Sequence, residues 1–424
     1  MANKKEGAHL LENQVEGAFR QIEAGLVDEG LSTLAKLLHD PRMDDELRFE
    51  TAQFYYQFGF LTEAIEILEK LLQAYQGEPE IILQLAELYM ENDDNDKSLE
   101  LLESITIDQG DDYLRAILLT SELYMMDGLF EVAESKVKKA LALFPEEQVL
   151  YTALGEIFYH QEKYSLAVLN YEKGSVISTY ARLADCYAHL GEFERALDYY
   201  KKATLTDKGS AELLFGYGFV AYQLGELELA SKKFTELLEL DPFYTSAYSL
   251  LSEALGQQGK RVEAIHYLDQ GIKYDQTNPA LFYLKGLLLR QQSEHQESQR
   301  WLQQALELDE SNTLVLDELL ALYMDVEDWD KAQETIDKLL DVVPERSDIY
   351  LQKGRLNEHL ERWEDAEQAY RQALELNPDS TDVLNQLGYL LRDEGRLNEA
   401  LEYWQKSILI EPDQDEIAQL LQQE

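Results

Sequence analysis

Cysteine is almost absent from this 424-residue chain: Cys186 stands alone, so no disulfide can form within it. That usage fits a reducing compartment. Proline is scarce, with 8 in the whole length, which leaves long stretches free to be helical. Basic residues are outnumbered, 37 Lys and Arg against 83 Asp and Glu, for a formal net charge of −46. A field of that sign repels phosphate backbones and anionic lipid, which argues against nucleic-acid and membrane partners. It steers basic partners inward, and it also keeps a large exposed surface in solution. No run approaches the roughly eighteen apolar residues of a spanning helix. The first twenty residues carry Lys4 and Lys5 but no apolar segment or cleavage site of a secretory signal. The expectation is a soluble, cytoplasmic protein.

What is abundant is Leu, Ala, Glu and Tyr, a helix-forming composition, arranged with a period. From Gly354, Ala366, Tyr370 and Pro378, a step of 34 leads to Gly388, Ala400, Trp404 and Pro412. The frame extends through repeats at 11–44, 45–78, 79–113, 114–147, 148–176, 177–210, 211–244, 245–278, 279–312, 313–346, 347–380 and 381–414. All but two are 34 residues long.

Three columns carry the reading. The twentieth position is always small: Gly30, Ala64, Ser98, Ala133, Ala167, Ala196, Ala230, Ala264, Ser298, Ala332, Ala366, Ala400. The eighth is small in every repeat except at Leu320. Small residues on two antiparallel helices let their backbones approach closely. The fifteenth is Gly in seven repeats, where a left-handed residue ends one helix and turns the chain into the next. Apolar residues between these columns recur at helical spacing, as in Leu183, Tyr187 and Leu190.

This pattern, with aromatics at the eleventh and twenty-fourth positions and proline near the end, resembles the tetratricopeptide repeat over nearly the whole chain. The stretches GLFEVAESK (128–136), LFGYGF (214–219) and ELDPFYTS (239–246) resemble the YpiA-type cytosolic proteins of Gram-positive bacteria. The resemblance implies an all-α fold: an α-solenoid, wound as a right-handed superhelix, of about twelve antiparallel helix-pair repeats. A mobile N-terminus at 1–10 and a short capping helix at 415–424 complete the expected layout. The repeat at 148–176 is short, and Gly174 stands where a small helical residue is usual. Its second helix is expected to end near Lys173, dividing the array into segments 11–176 and 177–414.

The seven histidines are scattered, at most one per repeat, and no nucleophile motif, phosphate-binding loop or cysteine–histidine metal spacing occurs. No catalysis and no cofactor are expected. Cys186 and the eleventh-position tyrosines, such as Tyr55, Tyr89, Tyr124, Tyr187 and Tyr323, read as packing residues. The acidic run 91–96 lacks the glycine and distal Glu of a calcium loop. Glu156 with His160, and Asp185 with His189, are pairs four apart on successive first helices. Such an arrangement can hold a metal, but ordinary groove-lining polar residues are the favoured reading, and no metal is expected.

The resemblance implies a scaffold that holds a partner protein or peptide in the groove formed by the first helices. Chaperone-tail receptors of this superfamily grip a carboxylate with Lys and Asn. The fifth and ninth positions here read Phe49 and Gln53, Leu83 and Glu87, Leu118 and Glu122, Thr152 and Glu156, so that clamp is missing. Acidic ninth positions (Glu87, Glu122, Glu156, Asp185, Glu253) alternate with rings at Phe49, Tyr56, Tyr159, Phe215, Phe219, Tyr222 and Tyr283. Farther on, Arg290, Arg355 and Arg392 change the sign in places. Carboxylates with rings between them suit a basic segment. A peptide-sensing regulator is the second reading.

Overall fold

The computed structural model describes residues 2–206 and 209–423, with side chains described from residue 11 to residue 421. The chain is an all-α solenoid: among the described residues there are 25 α-helices and two short 3-10 turns. Twenty-four of the α-helices form the twelve expected antiparallel pairs, and Asp415–Gln423 is the cap. The expected mobile segment at 1–10 has its side chains outside the described set. The opening helix of the first repeat is Ala2–Glu23, which starts well before residue 11.

Each pair closes through the same turn. All twelve fifteenth-position residues have positive φ: seven glycines together with Asp93, Glu162, Ser293, Glu327 and Glu361. Around Gly59, the Gly59 N–H donates to the Tyr56 carbonyl (2.9 Å) and the Phe60 N–H to Tyr55 (2.8 Å). This paired closure satisfies carbonyls that the helix end would leave open. The turn at Glu162 repeats it, with Glu162 bonded to Tyr159 and Lys163 to Phe158, both at 2.9 Å. Helix starts are fixed by side chains such as Asp44, which accepts from the Leu47 N–H at 2.9 Å, and by Pro79 and Pro279 in the first turn.

The small columns touch, as close helix crossing requires. Ser98 Oγ donates to the Ala86 carbonyl (2.9 Å), Ser298 Oγ to Gly286 (2.8 Å), and Ser252 Oγ to Ala264 (3.2 Å). Each bond joins an eighth to a twentieth position. Neighbouring repeats are tied by tyrosine hydroxyls: Tyr187 donates to Glu172 at 2.7 Å, and Tyr89 donates to Glu69. Tyr55, Tyr89, Tyr187 and Tyr323 are buried, as their column implied, while Tyr124 is only half-buried.

The short repeat ends its second helix, Tyr164–Gly174, with left-handed Ser175 (φ 51°), and a 3-10 turn Ile177–Thr179 follows. Gly174 packs on the helix before it, where a β-carbon would meet the Thr152 hydroxyl. The chain divides into two compact units, Met1–Lys208 and Gly209–Glu424. The division lies one repeat beyond the expected 176/177 boundary. Contacts bridge that joint: the Tyr187 hydroxyl donates to Glu172, Arg182 lies 3.6 Å from Glu156, and His189 stacks on Tyr164. Six helix pairs belong to the first unit; six pairs and the cap belong to the second. Ile417 of the cap is buried, with Leu420 and Leu421 packed against the same core.

Candidate partner-binding face

In the first unit the acidic column is largely engaged by the protein itself. Glu87 lies 3.8 Å from Arg115, and burial raises its carboxyl above the usual range despite that neighbour. Glu156 lies 3.6 Å from Arg182, whose guanidinium covers the Tyr159 ring at 4.7 Å. Asp185 accepts from the Tyr200 hydroxyl at 2.5 Å, with the Tyr159 hydroxyl at 3.5 Å. Burial raises Asp185 too, against those hydrogen bonds and the attraction of Arg182. Beside it, burial and then the Asp185 and Glu156 charges push the Cys186 thiol up to about 12. Glu122 is exposed. The Tyr56 hydroxyl donates to Glu91. Phe49 packs against the N-terminal core.

The metal candidates do not converge. His160 stacks on Phe130 (ring centroids 6.3 Å, 6° between planes), and His189 stacks on Tyr164 (4.3 Å, 26°). The His189 Nδ1 also meets the Asp185 carbonyl at 2.9 Å. With Glu156 beside Arg182 and Asp185 bonded to Tyr200, none of the four is organised around a common point. Among the described residues, no three His, Cys, Asp or Glu side chains are grouped to hold a metal ion.

In the second unit, Phe215 packs on Phe234 (6.0 Å) and Tyr244 (5.0 Å) rather than lining an open face. Phe219 is half-buried. The Tyr222 hydroxyl donates to Glu253 at 2.7 Å and accepts from Gln257 at 3.0 Å, linking successive first helices. Arg290 is held by Glu318 (2.8 Å) and Asp325 (3.2 Å). Arg392 pairs with Asp393 at 2.8 Å and covers Tyr389 at 5.5 Å. The expected changes of sign at these two arginines are therefore neutralised locally.

Three clefts open between successive first helices. In the first unit, Glu12, Val15, Glu16, Leu47, Glu50, Gln53, Phe54 and Gln57 line about 340 Å³. In the second unit, Glu253, Tyr283, Gln257, Leu287, Leu288 and Gln291 line much of a cleft of about 430 Å³. Between Ser347–His359 and Thr381–Asp393, the residues Glu358, His359, Trp363, Gln386, Tyr389, Leu390, Asp393 and Glu394 line about 610 Å³. Each cleft combines carboxylate with ring, and none is lined by Lys or Arg. The largest was missed from sequence, because Trp363 begins a second helix and lies outside the first-helix columns.

Repeat profiles account for most of the chain. Tetratricopeptide profiles match residues 20–79 and 249–313, 55–121 and 359–424, 177–210, and 319–385. A profile described as YpiA-like tetratricopeptide repeats matches 125–179, the segment that contains the short repeat. The chain belongs to the tetratricopeptide repeat superfamily. Within that superfamily it is 32% identical over 275 residues to TPR repeat-containing protein YpiA of Bacillus subtilis, an alignment covering 63% of this chain and 64% of the relative. It is 22% identical over 178 residues to tetratricopeptide repeat-containing protein trd-1 of Caenorhabditis elegans, covering 39% and 22% respectively. The chain thus spans less than two thirds of the length of either relative. The C-terminal part of a TPR repeat-containing protein from Cytophaga hutchinsonii superposes with a TM-score of 0.51 at 16% identity, over 56% of this chain and 98% of that one. That likeness is one of fold. Tetratricopeptide repeats serve protein–protein interaction, and no helix among the described residues is long and apolar enough to cross a membrane.

Proposed function

We propose that this chain is a non-enzymatic scaffold of the bacterial cytoplasm. It holds a cationic segment of a partner protein against the first-helix faces of its repeats. The observation that carries this reading is the common chemistry of the three clefts: carboxylates and rings, with no Lys or Arg in the lining. A Lys or Arg side chain entering such a cleft gains ion pairing and ring contact together. The acidic column at Glu87 and Glu156 contributes less, because Arg115 and Arg182 already neutralise it.

The test begins with crosslinking in cells to identify the partner, followed by affinity measurements across a salt series. A Glu50→Gln, Glu253→Gln, Glu358→Gln variant should bind more weakly and with a shallower salt dependence. Removing as many charges from second helices, at Glu131, Glu263 and Asp365, should change little. Equal losses from the two variants would show that the acidity serves solubility alone.

A further inference from the structure

We propose that the cleft lined by Trp363 and Asp393 takes an arginine side chain of the partner, its guanidinium stacked on the indole and facing the carboxylates. This rests on the scaffold reading and names the group that fills one of its clefts.

The repeats supply their own template for that slot. Position seventeen, the first residue of the second helix, is aromatic at Phe130, Tyr164, Phe193 and Trp329. Except after Phe193, where it is Gln223, position thirteen of the following repeat is a histidine, and its ring lies on that aromatic face. His160 stacks on Phe130 at 6.3 Å, His189 on Tyr164 at 4.3 Å, and His359 on Trp329 at 4.7 Å with 12° between planes. Phe130, Tyr164 and Trp329 are half-buried, as is Phe193 beside Gln223.

Trp363 occupies position seventeen of the next repeat, but position thirteen of the repeat after it is Asp393. A flat imidazole ring is replaced by a short anion. The indole stays 46% exposed and borders the largest of the three clefts, shared with Glu358, Tyr389, Asp393 and Glu394. Both hydrogen bonds from Arg392 to Asp393 go to Oδ1, and Glu394 has Arg396 at 3.3 Å. A guanidinium is flat like an imidazole, stacks on aromatic faces and pairs with carboxylate, whereas an ammonium is a compact and more strongly hydrated charge. The slot therefore favours arginine over lysine.

The full chain labelled with 5-fluorotryptophan reports on this directly, because its four tryptophans give four fluorine resonances, with Trp363 assigned from Trp363→Phe. The probe is N-acetyl-arginine methylamide, compared with its citrulline and lysine counterparts. Blocked arginine should shift the Trp363 resonance saturably, with half-saturation on the order of millimolar. Lysine should bind roughly fivefold more weakly, and citrulline should give no saturable shift. Asp393→Asn should weaken the arginine response roughly threefold. Asp393→His, which restores the stacking found at Trp329, should abolish it. Unchanged resonances of Trp301, Trp329 and Trp404 certify that each variant is folded. The proposal is overturned by the absence of a saturable arginine shift, by an equal response to citrulline, or by full binding in Asp393→His. Should those results come while the partner still crosslinks beside Gln53 or Gln257, the scaffold reading stands and this inference alone falls.

Discussion

The indole of Trp404 lies against the α-carbon of Gly388, in the space that a β-carbon on residue 388 would need. The same relation joins Tyr370 to Gly354, Tyr171 to Gly155 and Phe234 to Gly218. The eighth position is alanine at Ala18, Ala52, Ala86 and Ala184, where the twenty-fourth is Leu34, Leu68, Leu102 and Tyr200, and Gly286 faces Leu302. At Gly155, Gly218, Gly354 and Gly388, ring and glycine thus share one volume. Gly388→Ala should overpack the crossing and cost about 1–3 kcal/mol in denaturant unfolding. Combined with Trp404→Leu, the loss should be smaller than the sum of the two single changes. Strict additivity would separate the two positions energetically.

The left-handed turn residues give a stabilising prediction. Glu162, Glu327 and Glu361 hold φ of 59°, 59° and 56°, where an L side chain is strained. Replacing each by glycine should stabilise by about 0.5–1 kcal/mol, relief of strain exceeding the added freedom of the unfolded chain. Gly59→Ala should act in the opposite direction. Loss of stability in all three glycine variants would contradict the assignment of these turns.

Cys186 is buried, and burial with the nearby Asp185 and Glu156 charges pushes its thiol up to about 12. Iodoacetamide at neutral pH should leave the folded chain unmodified and label one site once it is unfolded. Labelling of the native protein at the unfolded rate would show that the thiol is open.

Two carboxylates should give opposite pH trends. Glu367 accepts from Arg396 (2.7 Å) and Arg371 (2.9 Å), and these bonds hold its carboxyl below the ordinary glutamate range. Its stabilisation is therefore present above the unfolded value of about 4.3 and is lost as pH falls through the folded value. Glu367→Gln should lower Tm at pH 7 and lose that effect in acid. Asp185 is raised by burial, so its ionisation weakens the fold as pH rises through the folded value. The Tm difference between Asp185→Asn and the parent should accordingly move in favour of Asn towards neutral pH. Parallel trends in the two variants would refute the opposed environments.

The helix pairs were legible because their constraints are local and repeat in phase. Close approach at Ser98 and Ala86, and positive φ at Gly59, each admit few residue types. The site was less legible because its contacts run between repeats. Arg115 beside Glu87 and Arg182 beside Glu156 are neutralising partners that a column of acids does not reveal. Pairing position thirteen with position seventeen of the preceding repeat would have placed His160 and His189 on aromatic rings instead of around a metal. It would also have drawn attention to Trp363.

The most direct test of the scaffold account is photo-crosslinking in cells, with benzoyl-phenylalanine placed at Gln53, Gln257 and Gln386 in the clefts. Ser135 and Lys232, on second helices, serve as controls. The expected result is a common protein adduct from the cleft positions, whose crosslinked peptide is rich in Arg and Lys. Adducts from Ser135 and Lys232 alone, or a crosslinked peptide without basic residues, would contradict it.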